Sequence, residues 1–234
     1  MYCDDIVTVR DLSKKYGHKT VLRGLNLHLK QGEVVLLLGQ NGAGKTTTVN
    51  CILGQTSYNG QITIMGNRPN SLDAKRLIGY VPEIPIPYDF LSVWEHFEFV
   101  MHAYKVSTRK EYAEKLLYRF QLDSVRNKLG KSLSKGMKQK LNICCALIPN
   151  PQILIFDEPF VGLDPLAIAE LKEVIRELKF IGCSILISTH MIDMVDEIWD
   201  RAYIISDGEL VSELAKTDIS SLEKTYLSIL DNKE

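Results

Sequence analysis

The sequence predicts an α/β fold: a mixed β-sheet core, an all-helical lobe inserted into it, and an antiparallel β region at the N-terminus. Three observations carry the α/β core and the inserted lobe, and the antiparallel region follows from the resemblance given below. The apolar run Val34-Val35-Leu36-Leu37-Leu38 leads straight into Gly39-Gln40-Asn41-Gly42-Ala43-Gly44-Lys45-Thr46, which opens a helix. Strand and helix patterns alternate again after residue 149. Between residues 88 and 148 the patterns are helical only.

Taken in order, residues 6–10 alternate as a short strand, and residues 21–29 alternate again with Leu25, Leu27 and Leu29 on one face. Lys14-Lys15-Tyr16-Gly17 lies between them. Residues 47–53 continue the helix that follows the glycine-rich stretch, with Gly54 as its stop. Residues 60–65 read as a strand, 72–77 as a short helix and 78–81 as an apolar strand. Three prolines in Pro82-Glu83-Ile84-Pro85-Ile86-Pro87 exclude helix and central strand there. Ser92-Val93-Trp94-Glu95 has capping-box spacing and opens a helix to about residue 104. Thr108-Arg109-Lys110-Glu111 repeats the device before a helix to about residue 120. A third helix covers residues 134–147 and ends before Pro149. The strand over residues 153–157, the helix over 166–180 and the strand over 184–188 restore the alternation. Asp207-Gly208 joins two final strands, 202–205 and 209–211, and the last twenty residues read as one amphipathic helix.

The stretch Gly39 to Thr46 matches G-x-x-x-x-G-K-[ST] in the strand-then-helix context that the motif requires. Its glycines let successive N–H groups converge at a helix N-terminus, where the dipole also favours an anion. Lys45 is expected to reach the β- and γ-phosphates of a nucleotide, and the Thr46 hydroxyl to take one position on Mg²⁺. The carboxylates of Asp157 and Glu158 end a buried strand, the edge at which α/β sheets bind ligands. Asp157 is expected to hold the Mg²⁺ and Glu158 to polarise a water for in-line attack. His190 follows the next strand and is expected at the same edge, bonded to the γ-phosphate or to the attacking water. Tyr16 lies upstream of the loop, and its face suits a purine, since stacking needs no reading of base edges. The other histidines, 18, 28, 96 and 102, read as surface or packing residues.

Composition narrows the alternatives. With 28 Lys and Arg against 29 Asp and Glu, the net charge is −1, which argues against electrostatic binding of nucleic acid. No apolar run approaches a membrane span, and Met1-Tyr2-Cys3-Asp4-Asp5 does not read as a signal peptide, so a cytoplasmic location is expected. Cys3, Cys51, Cys144, Cys145 and Cys183 form no C-x-x-C pair and read as reduced, mostly buried small residues. No internal repeat or low-complexity segment is present.

Leu133-Ser134-Lys135-Gly136-Met137-Lys138-Gln139-Lys140, some twenty residues before the acidic strand, resembles the signature motif of ATP-binding-cassette (ABC) ATPases. Phe160-Val161-Gly162-Leu163-Asp164-Pro165 resembles the D-loop of that family. The likeness covers nearly the whole chain. It implies an ABC-type P-loop NTPase with a RecA-like and β core at 1–87 and 149–214, a helical signature lobe at 88–148 and a helical tail at 215–234. It further implies ATP and Mg²⁺ as cofactors, with ATP contacts along residues 39–47, Gly39 to Thr47, and at Tyr16. Two copies, or this chain and a paired cassette, would enclose two ATP molecules head to tail. The partner's Ser134, Lys135 and Gly136 would cover each one, with Asp164 in the D-loop. A separate polytopic permease would be driven from the cytoplasmic face of the membrane.

Two departures from the pattern stand out. Glu83 replaces the usual glutamine after the strand ending in Val81 and could ligate Mg²⁺ or orient water, adding negative charge near the triphosphate. Lys135 and Met137 replace a glycine and a glutamine of the signature; Lys135 either brings a cation toward the phosphates or stays solvated. Both resemble the single-cassette exporters for antibiotics, bacteriocin-type peptides and related small molecules, while an importer subunit or a soluble ABC ATPase stays open. Ile84, Ile86, Tyr88, Phe90 and Leu91 read either as a permease contact or as the core of the helical lobe.

Overall fold

The computed structural model describes residues 5–231; Cys3 and the other residues before Asp5 lie outside them. In chain order the elements are β1 (Asp5–Tyr16), β2 (Lys19–Lys30), β3 (Val34–Leu38), α1 (Lys45–Ile52), β4 (Asn59–Ile64), α2 (Leu72–Leu77), β5 (Ile78–Val81), α3 (Val93–Ala103), α4 (Lys110–Arg119), α5 (Lys135–Leu147), β6 (Ile153–Asp157), α6 (Pro165–Phe180), β7 (Ser184–Thr189), β8 (Arg201–Ser206), β9 (Glu209–Ala215) and α7 (Leu222–Asp231). They form a three-stranded antiparallel sheet, β2-β1-β4, and a six-stranded sheet, β5-β6-β7-β3-β8-β9, parallel except where β9 turns back on β8.

Alternation along β3 explains how one strand serves two cores. Leu36 and Leu38 face a core that contains Phe97, Phe120, Phe156 and Leu171, while Val35 and Leu37 face a core with Leu12, Leu22, Ile62 and Tyr203. The large sheet is therefore covered on both faces, as parallel strands require. Helices α3, α4 and α5 belong to the first core, and Leu222 and Tyr226 fasten α7 to it.

Register decides where the loops emerge. Leu38 pairs with Thr189, Asp157 with Ser188, and Val81 with Phe156. Four adjacent strands thus end level, and the segments that begin with Pro82, Glu158, His190 and Gly39 leave the sheet at one edge.

Several sequence expectations change in detail. The first strand runs from Asp5 to Tyr16, so Tyr16 belongs to a strand and not to a connector. Two residues in left-handed conformation, Asp207 at φ 51° and Gly208 at φ 78°, make the predicted β8–β9 turn, but β9 continues to Ala215 and crosses the expected tail boundary. The tail helix begins only at Leu222, after a 3₁₀ turn at Lys216–Asp218. Ser92 and Glu95 form the predicted capping box. Thr108 forms none: it sits inside a 3₁₀ turn, Ser107–Arg109, which makes Arg109 the residue that precedes α4. Ile84, Ile86, Tyr88 and Phe90 are exposed and so are not lobe core. Among the described cysteines, 51, 144 and 183 are buried, and Cys145 is half-buried. Burial pushes the Cys51 thiol up to about 11 and that of Cys183 up to about 12, which leaves both unreactive. His96 is a packing residue, fixed by the Ser92 carbonyl at 2.7 Å and by the Tyr88 N–H at 2.9 Å.

Candidate nucleotide site

The edge where the four strands end carries a cavity of about 760 Å³, lined by Tyr16, Lys19, Val21, Asn41, Gly42, Gly44, Lys45, Thr46, Thr47, Glu83, Glu158, Val161 and His190. Its floor is the loop after β3. Gly42 and Gly44 hold φ values of 86° and 114°, a region that L side chains rarely enter. A Cβ on Gly39 would stand 2.4 Å from the Ile205 carbonyl oxygen, and one on Gly44 2.6 Å from Leu22 Cδ2. Gly44 is also the N-cap of α1. It supplies no side-chain acceptor, so the first N–H groups of the helix remain available to an anion.

Lys45 Nζ donates to the Gly39 carbonyl at 2.8 Å and stands 3.3 Å from Glu158 Oε1, with both side chains nearly buried. Glu158 is held on every side. His190 Nδ1 is 2.8 Å from its Oε1, while Thr189 Oγ1 donates to Oε2 at 3.0 Å and the His190 N–H at 3.3 Å. Its backbone sits at φ 48°, a conformation that costs energy for any residue with a Cβ and clusters at functional positions.

Asp157 is 1% exposed. Burial raises its carboxyl pKa, offset in part by hydrogen bonds from Ser188 and Thr46. The Ser188 hydroxyl donates to Oδ1, yet Oδ2 is buried without a hydrogen-bond partner of good geometry. An orphaned carboxylate oxygen beside the Thr46 hydroxyl fits a divalent cation. Among the described residues no group of three or more His, Cys, Asp or Glu side chains is placed to hold a metal ion. Glu83 is exposed at the rim of the same cavity.

The second set of predicted residues stands apart. Ser134 caps α5 through the Met137 N–H at 3.2 Å, and a Cβ on Gly136 would approach the Gly162 carbonyl oxygen to 2.7 Å. The stem of Lys135 lies against Gly162. Asp164 caps α6 through the Ala167 N–H at 2.9 Å and pairs with Lys140 Nζ at 2.7 Å. The Lys140 bond, followed by the Ala167 N–H, holds its carboxyl below the usual range. Ser134, Lys135, Gly136 and Asp164 do not line the cavity.

Sequence reasoning missed Lys19, Val21 and Val161 in the cavity wall, and Ser188 and Thr189, which hold Asp157 and Glu158. The last two were findable: they immediately precede His190, and a strand paired in register with β6 has to place them beside the acids.

A phosphate loop at the end of one buried parallel strand, with an acidic strand end two strands away, defines a nucleotide-binding P-loop ATPase. The family model described as ABC transporter matches residues 22–161. The chain belongs to that family, and it is an ATP-binding and ATP-hydrolysing motor subunit of a transporter. It is 34% identical over 215 residues to the lipopolysaccharide export system ATP-binding protein LptB of Haemophilus influenzae, covering 88% of this chain and 89% of that protein. Against the ABC-type transporter ATP-binding protein EcsA of Bacillus subtilis it is 37% identical over 228 residues, covering 94% and 90%. A solved structure described as the ATP binding subunit of an ABC transporter superposes with a TM-score of 0.89 at 35% identity, covering 96% of this chain and 99% of that one.

Proposed function

We propose that the chain powers an exporter: it binds MgATP in the cavity described above, closes on a second cassette and drives a separate polytopic permease from the cytoplasmic face of the membrane. The observation that carries this reading is the division of the predicted residues into two sets. Tyr16, Asn41, Gly42 and Gly44 to Thr47 of the phosphate loop, Glu158 and His190 share one cavity, while Ser134, Lys135 and Gly136 stand outside it at an exposed helix N-terminus. One set binds, and the other is free to cover the nucleotide of a second copy.

In this reading Tyr16 stacks on the base, and the N–H groups of residues 42–47 hold the phosphates. Thr46 and Asp157, with Glu83 at the cavity rim, would hold a Mg²⁺, whose charge would offset that of the phosphates. Lys45 leaves Glu158 for the β- and γ-phosphates, since a triphosphate offers it more negative charge than one carboxylate. Glu158, released from that pair but still held by Thr189 and His190, accepts the proton of the attacking water. His190 keeps Glu158 aimed and bonds the γ-phosphate. Loss of that phosphate removes contacts that exist only in the closed state, and the two cassettes part.

The permease contact is supported by surface chemistry. A groove of about 520 Å³ lies between the sheet and the helical segment, lined among others by Leu53, Tyr80, Val100 and Tyr104. Tyr88 packs edge-on against Phe99, with ring centroids 5.3 Å apart, and Ile84, Ile86 and Phe90 are exposed as well. Such an apolar surface marks an interaction site. Export is supported by the signature, by Glu83 and by the likeness to LptB, named for an export system.

The test is to purify the tagged Glu158→Gln protein with MgATP from detergent-solubilised membranes of its own cells. One multi-span membrane protein in stoichiometric amount is expected. Recovery with ribosomal or nucleic-acid-bound partners, or alone, would contradict the exporter reading.

A further inference from the structure

Lys14 is a buried lysine, only 6% exposed, and among the described residues no carboxylate pairs with it. Lysine is almost never buried without a partner, because removing an ammonium from water is costly. Its Nζ donates to the Ser57 carbonyl and, at 3.3 Å, lies near the Ser57 hydroxyl, in the connection between α1 and β4. The same Nζ stands over the Tyr16 ring, 4.6 Å from its centroid. The β1–β2 register slips on both sides of Lys14, an irregularity of the kind that re-aims side chains.

Tyr16 lines the nucleotide cavity and is 48% exposed, whereas Lys14 is absent from the cavity wall. The ammonium is thus buried against a ring that keeps an exposed part in the cavity wall. We propose that Lys14 is a positioning and specificity residue for the nucleotide base, which acts through Tyr16; the proposal rests on the reading of Tyr16 as the stacking platform. It works in two ways. A cation against one face of an aromatic ring draws electron density from the other, which strengthens stacking with an electron-rich purine. It also fixes the ring before ligand arrives, so less side-chain freedom is lost on binding. Because Ser57 anchors the ammonium, the platform is tied to the chain that leaves the phosphate-binding helix α1.

The experiment measures equilibrium binding of MgATP, and of magnesium tripolyphosphate, which has no base, to the full chain. Lys14→Gln removes the charge but keeps an N–H donor for the Ser57 carbonyl. Lys14→Met, which keeps most of the stem, gives the same readout if the glutamine variant does not fold. The expected result is a rise of about three- to tenfold in Kd for MgATP, no change for tripolyphosphate, recovery in Lys14→Arg, and no further effect when Lys14→Gln is added to Tyr16→Leu. Equal weakening toward both ligands would overturn the proposal, since it places Lys14 in general support of the fold. Weakening by Tyr16→Leu but not by Lys14→Gln would overturn it while leaving the base site standing. If Tyr16→Leu itself leaves MgATP binding unchanged, the base-site reading fails and the proposal falls with it.

Discussion

Asp157 holds a carboxyl group in a place that disfavours its charge. Burial raises its pKa, so over the window above the unfolded value the folded chain keeps a proton that the unfolded chain has lost. Folding stability from this group is thus fullest below the unfolded value and declines as the pH rises through that window. Asp157→Asn keeps an acceptor for Ser188 and removes the charge. In thermal unfolding without nucleotide at neutral pH it is expected to raise Tm by roughly 2–4 °C, the shift of about 1 kcal/mol in a chain of this size. ATP hydrolysis should be lost in the same variant. A lower Tm would show that the carboxylate stabilises the apo fold and that its burial has been misjudged. At this scale the chemistry was legible where a motif names it, as at Lys45, Asp157 and Glu158. It was illegible where a neighbour supplies it: nothing local in Lys14-Lys15-Tyr16 tells which lysine turns inward, because a register slip between strands decides that.

Between elements, two four-residue stretches with the same spacing behave differently. Ser92 caps α3 reciprocally with Glu95: Ser92 Oγ accepts the Glu95 N–H at 3.2 Å and Glu95 Oε2 the Ser92 N–H at 2.7 Å. Thr108 makes no cap because the 3₁₀ turn places Arg109 before α4. Chemical unfolding should therefore find Ser92→Ala less stable by about 1 kcal/mol, with Thr108→Ala within about 0.5 kcal/mol of the parent. Equal losses would mean that Thr108 caps α4 in solution. The pattern S/T-x-x-E is necessary for a capping box but does not set the helix start. Apolar periodicity placed most elements to within a few residues, while Tyr16 and the start of the tail helix depended on pairing and docking that lie far apart in sequence.

For the whole molecule, function follows from strand order. Sequence gives each strand and the acid or histidine at its end, but only the order β5-β6-β7-β3 brings Glu83, Glu158, His190 and the phosphate loop to one edge. Likewise, Ser134 and Gly136 are recognisable in sequence, and in the fold they lie outside the cavity wall. That separation supports the central claim, that one chain carries two halves of different sites and needs a second cassette to complete either. Site-directed crosslinking tests it most directly. Asn41 and Ser134 are both exposed; Asn41→Cys in one copy and Ser134→Cys in another, both carrying Glu158→Gln, are mixed with a short bis-maleimide, and copies without an introduced cysteine serve as the control. Crosslinking between copies is expected with MgATP and little without it. ATP-bound copies that do not crosslink, or crosslinking that ignores ATP, would contradict the claim.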